Sequence, residues 1–188
     1  ASCGRPAPWV HLALLDDDCQ PVDAGEPGEI CVRAPLVMHG YTDMPEQTAE
    51  AMAGGWLHTG DIGRFDDEGF LYIVDRKKDM VVTGGFNVFP REVEDVLSGH
   101  ESVAQVAVIG VPDEKWGEAV KAVVVVKPGV EADETLTGEL TEMVKEAKGS
   151  VQAPKSIDYV DSIPLTAVGK PDKKALRSQY WGDGRAVG

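Results

Sequence analysis

Positive charge is scarce in this chain: 18 lysines and arginines stand against 32 aspartates and glutamates, a formal net charge of −14. A surface of that sign repels a nucleic-acid backbone or an anionic membrane, so no nucleic-acid partner is expected unless cations are tightly localised. Cysteine is scarcer still. Cys3, Cys19 and Cys31 are odd in number, confined to the first third of the chain and without metal-type spacing. That excludes a disulfide framework and leaves free thiols in a reducing compartment as the expectation. Long apolar runs are missing too. The most apolar stretch, AVKAVVVV, is interrupted by Lys121 and is too short to span a bilayer. The first residues, ASCGRPAPWVHLALLDDD, have no basic region leading into an apolar one. The chain therefore reads as cytoplasmic, with no transmembrane segment. It contains no GxxxxGKS/T phosphate loop, no GxSxG elbow and no solenoid-type repeat. His11, His39, His58 and His100 show neither metal spacing nor a nucleophile partner, so structural roles are expected for them and no metal.

What is present is a change of rhythm part-way along. With 188 residues the chain has room for one ordinary domain, or a small domain and part of another. Up to residue 76 the pattern is of short strands: VHLALL and GEICVRA joined by a turn-rich linker, then IGRF and FLYIVD closed by DDEG. Between these pairs lies a short helix over PEQTAEAMA, opened by Pro45 and stopped by Gly54 and Gly55. The acidic-to-basic switch DRKKD breaks the pattern and predicts a domain boundary. Beyond it strands and helices mix. MVVT reads as a strand, GGFNVF as a loop, and Pro90 opens a helix with Val93, Val96 and Leu97 on one face. Strands VAQVAVIGV and AVKAVVVVK follow, separated by the loop PDEKWGE. A helix carries the stripe Leu136, Leu140, Met143, Val144 and Ala147. Strand SIDYVD then leads through IPLTAVGK into a terminal helix, PDKKALRSQYW. The fold class is α+β, with a β-rich part at 1–76, a small α+β domain at 77–180 and a tail at 181–188.

Cations concentrate at Arg76, Lys77 and Lys78 and again at Lys170, Lys173, Lys174 and Arg177. The last three read as the solvated face of a terminal helix. Lys170 differs, because it sits beside Gly169 in a loop, where an ammonium is movable. Asp61, directly after Thr59 and Gly60, has the chemistry to accept two hydrogen bonds from a vicinal diol such as a ribose, or is an ordinary turn aspartate. Gly84 and Gly85 permit close backbone approach of a ligand, or mark a turn.

Taken in order, GYTDMPEQTAEAMAGGWLHTGDIGRFDDEGFLYIVDRKKDMVVTGGFNVFPREVEDVL, then VAQVAVIGVPDEKWGEAVKAVVVV, then IPLTAVGK, resembles the carboxyl-terminal portion of acyl-CoA synthetases. These belong to the adenylate-forming superfamily, with nonribosomal peptide adenylation domains and firefly luciferase. The resemblance covers about Gly4 to Tyr180. It implies the end of a large N-terminal domain, β-rich and barrel-like, followed by a small mobile C-terminal domain. It also implies an N-terminal remainder ahead of Ala1, holding the phosphate loop and acyl pocket, so that this chain alone would be inactive.

The resemblance further implies that Asp61 and Arg76 hold the ribose hydroxyls of ATP, AMP or the acyl-adenylate, and that Lys78 is the hinge. Lys170 is implied as the lysine of adenylation, and Gly84 and Gly85 as the loop that meets the pantetheine of CoA. The substrates implied are a carboxylic acid, most readily a fatty acid, with ATP and CoA. Mg2+ would accompany ATP, its ligands lying outside this chain. Alternatives are an adenylation enzyme that loads a carrier protein, and a noncatalytic nucleotide- or CoA-binding module. The chain departs from the family pattern at Val151 and Gln152, where an aromatic–lysine pair is common, at Leu165, where a basic residue is common, and at Pro171.

Overall fold

Two short strands, β1 (His11–Leu15) and β2 (Gly28–Arg33), pair antiparallel from His11 opposite Arg33 to Leu15 opposite Glu29, and the paired ends, residues 14–15 and 28–31, are buried on both faces. The computed structural model describes residues 2–181. Helix α1 (Pro45–Ala51) begins at the proline and buries none of its residues, as a connecting segment with no apolar face should. A one-turn 3-10 helix at Ala53–Gly55 leads into β3 (Leu57–Phe65), which pairs with β2 on one side and β4 (Leu71–Arg76) on the other. The four strands lie in sequence order, all antiparallel. Leu14, Ile30 and Leu71 form the buried centre of the sheet's apolar face.

The Thr59–Gly60–Asp61 segment, expected as a turn, is instead inside β3. Its pairing with β2 slips there: Glu29 faces Ile62 while Cys31 faces His58, so three residues of β3 stand against Ile30 alone. Gly60 takes φ 73° at this bulge, a conformation that favours glycine.

The chain divides between Lys77 and Lys78 into two units. The second is a five-stranded sheet with helices on both faces. Strands β5 (Val81–Thr83) and β6 (Phe86–Val88) form a hairpin, so GGFNVF is half strand rather than loop. The cause is the Gly84–Gly85 turn, where Thr83 pairs directly with Phe86 and both glycines have positive φ, 57° and 83°. A two-residue hairpin turn of this hand matches strand twist and requires that backbone at both positions. Helix α2 (Pro90–Leu97) follows. Strands β7 (Val103–Asp113) and β8 (Gly117–Val126) pair from Val103 opposite Val126 to Asp113 opposite Gly117. The predicted seven-residue loop PDEKWGE is thus reduced to Glu114, Lys115 and Trp116, because the pairing carries on past Pro112.

Helix α3 (Glu134–Lys148) is capped by Asp133, whose side chain accepts from the Leu136 amide at 2.8 Å. Strand β9 (Ser156–Tyr159) then runs parallel to β8. Helix α4 (Lys173–Trp181) closes the unit. Trp181, placed in the sequence both at the end of the terminal helix and at the start of the tail, is helical, and its indole donates to the Gly110 carbonyl at 2.9 Å; residues 182–188 of the expected tail lie outside the described residues.

The unbroken apolar character of β8 now has a reason. Val120, Ala122 and Val124 pack into one cluster with Val93 and Leu97 of α2 and Leu136, Leu140 and Val144 of α3. Ala119 and Val123 face the other way, into a cluster with Ile109 and Leu176 of α4. Lys121 shares that second face, and its ammonium is met by Asp158 at 2.5 Å and by the Tyr180 ring at 4.9 Å. Tyr180 also donates to Asp158. Burial, then the hydrogen bond and charge of Asp158, raise the Tyr180 phenol from 10.0 to about 12.

The terminal helix is less solvated than its composition suggests. Lys173 pairs with Glu94 at 2.7 Å and Arg177 with Asp79 at 2.8 Å, all four side chains largely covered, and only Lys174 of the three expected surface cations is exposed.

Two outcomes test this packing. Leu140 is fully buried, so Leu140→Ala is expected to cost about 2–5 kcal/mol in chemical denaturation. A tyrosine whose folded value is raised contributes stability that is complete below pH 10.0 and lost as the pH rises through about 12. Asp158→Asn should therefore shrink the alkaline loss of stability in that window, measured by denaturant midpoints at stepped pH.

Candidate functional site

Cross-strand register brings the first pair of expected site residues together. Asp61 on β3 is the direct partner of Arg76 on β4, and the guanidinium Nε lies 3.5 Å from the Asp61 carboxylate. Both side chains retain access to solvent, 35% for Asp61 and 60% for Arg76, so both are available to a ligand. At that distance and exposure the pair contributes little to stability. Its value is geometric: an acceptor and a cationic donor are presented side by side on two strands.

Behind this pair lies a network that sequence reasoning missed. Glu29, at the head of β2, is 5% exposed, and its carboxylate is met from three directions. Oε1 accepts from the Gly60 amide at 3.0 Å, while Oε2 accepts from His58 Nδ1 at 2.9 Å and from the Lys77 ammonium at 3.1 Å. Burial pushes the Glu29 carboxyl up, but the hydrogen bonds from His58 and Lys77, with the charge of Lys77 and the Gly60 amide, hold it below the ordinary carboxylate value. Burial opposes the Lys77 charge in the same way, and the carboxylates of Asp17 and Glu29 outweigh it and raise the amine. Lys77 reaches Asp17 at 2.7 Å. The sole hint in sequence was an acid set at the start of the apolar strand GEICVR.

Cys31 completes the cluster, its sulfur 3.4 Å from His58 Nδ1. Donor atoms of Glu29, Cys31 and His58 lie within 4.8 Å of one another, a grouping that could hold a metal ion and that sequence spacing did not reveal. Nitrogen and sulfur donors suit a soft ion and not Mg2+. The group is also satisfied as it stands: Lys77 neutralises Glu29, and burial followed by the Glu29 charge pushes the Cys31 thiol up to about 12, which keeps it protonated.

The remaining expected residues belong to the second unit. Lys78 is its first residue, in the one-turn 3-10 helix Lys77–Asp79. Gly84 and Gly85 form the β5–β6 turn beneath Trp116. The Gly84 amide donates to the Trp116 carbonyl at 2.9 Å, and a Cβ on residue 84 would come within 2.6 Å of the indole. Close approach at this glycine is therefore made by the protein's own tryptophan. Lys170 is exposed, on a loop closed by the Leu165–Pro171 bridge. Thr166 fastens that loop, its amide donating to the Lys170 carbonyl at 2.7 Å and its hydroxyl accepting from the Lys170 amide at 3.2 Å. Asp172 then accepts from the Ala175 amide at 3.0 Å and starts α4.

Comparison with known proteins gives this constellation a context. Residues 92–170 match the family described as AMP-binding enzyme C-terminal domain, and residues 1–42 match AMP-binding enzyme. The chain belongs to the AMP-binding, adenylate-forming family. Among relatives in this family, it is 59% identical over its whole length to a medium/long-chain-fatty-acid–CoA ligase, FadD8, of Mycobacterium tuberculosis, and covers 34% of that protein. It is 46% identical over 96% of its length to a long-chain-fatty-acid–CoA ligase of Escherichia coli O157:H7, of which it covers 32%. The chain thus spans about a third of the length of the curated relatives it matches. Among solved structures it is similar to the amide bond synthetase McbA of Marinactinospora thermotolerans, with a TM-score of 0.83, 42% identity, and 95% of this chain and 35% of that one covered. No helix among the described residues is long and apolar enough to cross a membrane.

Thiol chemistry offers a check on the buried network of this family member. Alkylation with iodoacetamide near neutral pH is expected to modify the exposed Cys3 and leave Cys31 unmodified until denaturant is added. Fragmentation of the tryptic peptide that ends at Arg33, which carries both cysteines, assigns the label to one or the other.

Proposed function

We propose that this chain is the C-terminal part of an ATP-dependent carboxylic acid:CoA ligase, acting on fatty acids, that forms an acyl-adenylate and then an acyl-CoA. The observation that carries the reading is the exposed Asp61–Arg76 pair, set by strand register immediately before the division between the two units. Its kinship to fatty-acid–CoA ligases supports the choice of substrate class. In this reading the first unit closes a large β-rich, barrel-like domain, and the second is the small mobile domain.

The chemistry then divides between the loops. Asp61 accepts hydrogen bonds from the two ribose hydroxyls and Arg76 steadies them. In the first half-reaction a carboxylate oxygen of the acid attacks the α-phosphorus of ATP and pyrophosphate leaves with the electron pair of the broken P–O bond. Negative charge builds on the phosphoryl oxygens, where the Lys170 ammonium stabilises the transition state more than the ground state. Mg2+ accompanies ATP, and the Glu29, Cys31 and His58 donors do not suit it. In the second half-reaction the small domain turns about Lys78, Lys170 withdraws, and the Gly84–Gly85 turn with Trp116 lies along the pantetheine arm. The CoA thiolate attacks the acyl carbonyl carbon, and AMP departs.

The test separates the two steps. In the full-length enzyme carrying this chain, Lys170→Ala is expected to lower pyrophosphate release by about 10²–10³-fold. Thioester formation from supplied acyl-adenylate should stay within about tenfold of the parent. Equal loss of both activities overturns this division of labour, and products formed only with carrier-protein pantetheine, never with free CoA, overturn the acceptor.

A further inference from the structure

Lys170 is exposed at the end of a tight hairpin whose main chain leaves one donor over. Leu165 bridges Pro171, the Thr166 amide donates to the Lys170 carbonyl at 2.7 Å, and the Gly169 amide donates to the Thr166 carbonyl at 2.9 Å. This is the three-residue loop in which a turn over Ala167 and Val168 is closed by a glycine of positive φ, here 77° at Gly169. With the Thr166 carbonyl turned to Gly169, the Lys170 amide has no main-chain partner across the loop. It donates to the Thr166 hydroxyl oxygen at 3.2 Å instead, a side-chain acceptor standing in for a backbone one. Thr166 therefore grips Lys170 by both its amide and its carbonyl. Pro171 adds a third restraint, since the residue before a proline is held out of the α region. Both ends of the hairpin are rooted: the Asp172 amide donates to the Pro164 carbonyl at 2.7 Å, and Ile163 and Leu176 are buried in one cluster on a face of the sheet.

We propose that Thr166 is a positioning residue for Lys170, holding its main chain so that the ammonium meets the phosphoryl oxygens from a fixed base during adenylation. A lysine carries its charge at the end of a flexible four-carbon stem, and every free backbone torsion beneath that stem widens the volume the charge sweeps. Stabilisation by a cation depends on where it stands as charge develops, and a displacement of about 1 Å from the productive geometry costs up to about 10²-fold. The hydroxyl decides the matter at position 166. Valine fills the same space and keeps the amide bond to the Lys170 carbonyl, but offers the Lys170 amide nothing; serine keeps both bonds. Thr166 brings no charge of its own, so its effect on the reaction passes through Lys170. This inference rests on the reading above that Lys170 serves the first half-reaction.

Backbone nitrogen-15 relaxation on the 188-residue chain tests the grip without catalysis. The order parameter at Lys170 is expected to be about 0.85 in the unaltered chain and in Thr166→Ser, and to fall below about 0.6 in Thr166→Val, with Leu176 staying at about 0.85 in all three. A value below about 0.6 at Lys170 in the unaltered chain overturns the proposal and needs no variant to fold. A valine variant in which Lys170 stays ordered also overturns it, because the hydroxyl is then idle. So does one in which order is lost through α4 as well, because the hydroxyl is then a general prop.

The full-length enzyme carrying this chain supplies the second arm. Thr166→Val is expected to lower kcat for pyrophosphate release by about tenfold with the KM for ATP within about twofold, and to leave thioester formation from supplied acyl-adenylate within about twofold. Thr166→Ser should restore the release rate. In a Lys170→Ala background the valine substitution should cost nothing further, because a positioning residue acts only through the group it positions; a full additional loss there overturns the proposal. If Lys170→Ala cuts pyrophosphate release and Thr166→Val does not, the proposal fails and the reading of Lys170 stands. If Lys170→Ala spares release, that reading fails and takes the proposal with it.

Discussion

A carboxylate taken out of water must be met by donors, and Glu29 is met by Gly60, His58 and Lys77. Much of the first unit follows from that requirement. The bulge in β3 turns the Gly60 amide toward Oε1, and in doing so places Asp61 where it pairs with Arg76. The ammonium that completes the network belongs to Lys77, the last residue before the division between units. One buried acid thus sets the shape of the strand that carries the candidate nucleotide contact and holds the chain where the second unit begins.

In the second unit the governing constraint is a strand buried on both faces. β8 is covered by α2 and α3 on one side and by α4 on the other, which is why it reads as a nearly continuous apolar run. Its lysine, Lys121, is kept by Asp158 and Tyr180. On this rigid frame hang two loops of different build. The Gly84–Gly85 turn is tight and roofed by Trp116, whereas the Lys170 loop is tied through Thr166 and through the pairing of its ends, the Leu165–Pro171 bridge and the Asp172 amide on the Pro164 carbonyl. Mobile chemistry on a packed scaffold is the usual division between loops and core.

Cations are few in this acidic chain, and their placement is informative for that reason. Lys121, Lys173 and Arg177 are each drawn against a specific carboxylate with little exposure, and the half-buried Lys77 is shared between Glu29 and Asp17. Helix-end position alone suggested a solvated face for Lys173 and Arg177, since a helical repeat records which residues share a face and not what covers that face. The partners, Glu94 and Asp79, are supplied by distant parts of the chain. Lys170, exposed on its loop, contrasts with all four.

The strands and helices were legible wherever one periodicity ran long enough to bury a face: β1 with β2, α3, and the β7–β8 pair announce themselves in residue order, as does the α+β class. Adjacent glycines marked a turn, and the order of motifs pointed to the adenylate-forming family. Local pattern misjudged how far pairing extends, so β6 was lost in a loop and the β7–β8 connection was drawn too long, because ladder hydrogen bonds come from a partner strand that the sequence does not specify. It also misplaced Thr59–Gly60–Asp61, which becomes a bulge only when β2 runs alongside. The sequence by itself determined the composition of each face, and it nominated Asp61, Arg76, Lys78, Gly84, Gly85 and Lys170 as candidates. Only the tertiary structure decided that Glu29, Cys31 and His58 meet, and that Lys77 finds Glu29 and Asp79 finds Arg177. Those contacts join positions tens of residues apart, where chain order carries no distance and only the packing of sheets and helices supplies it.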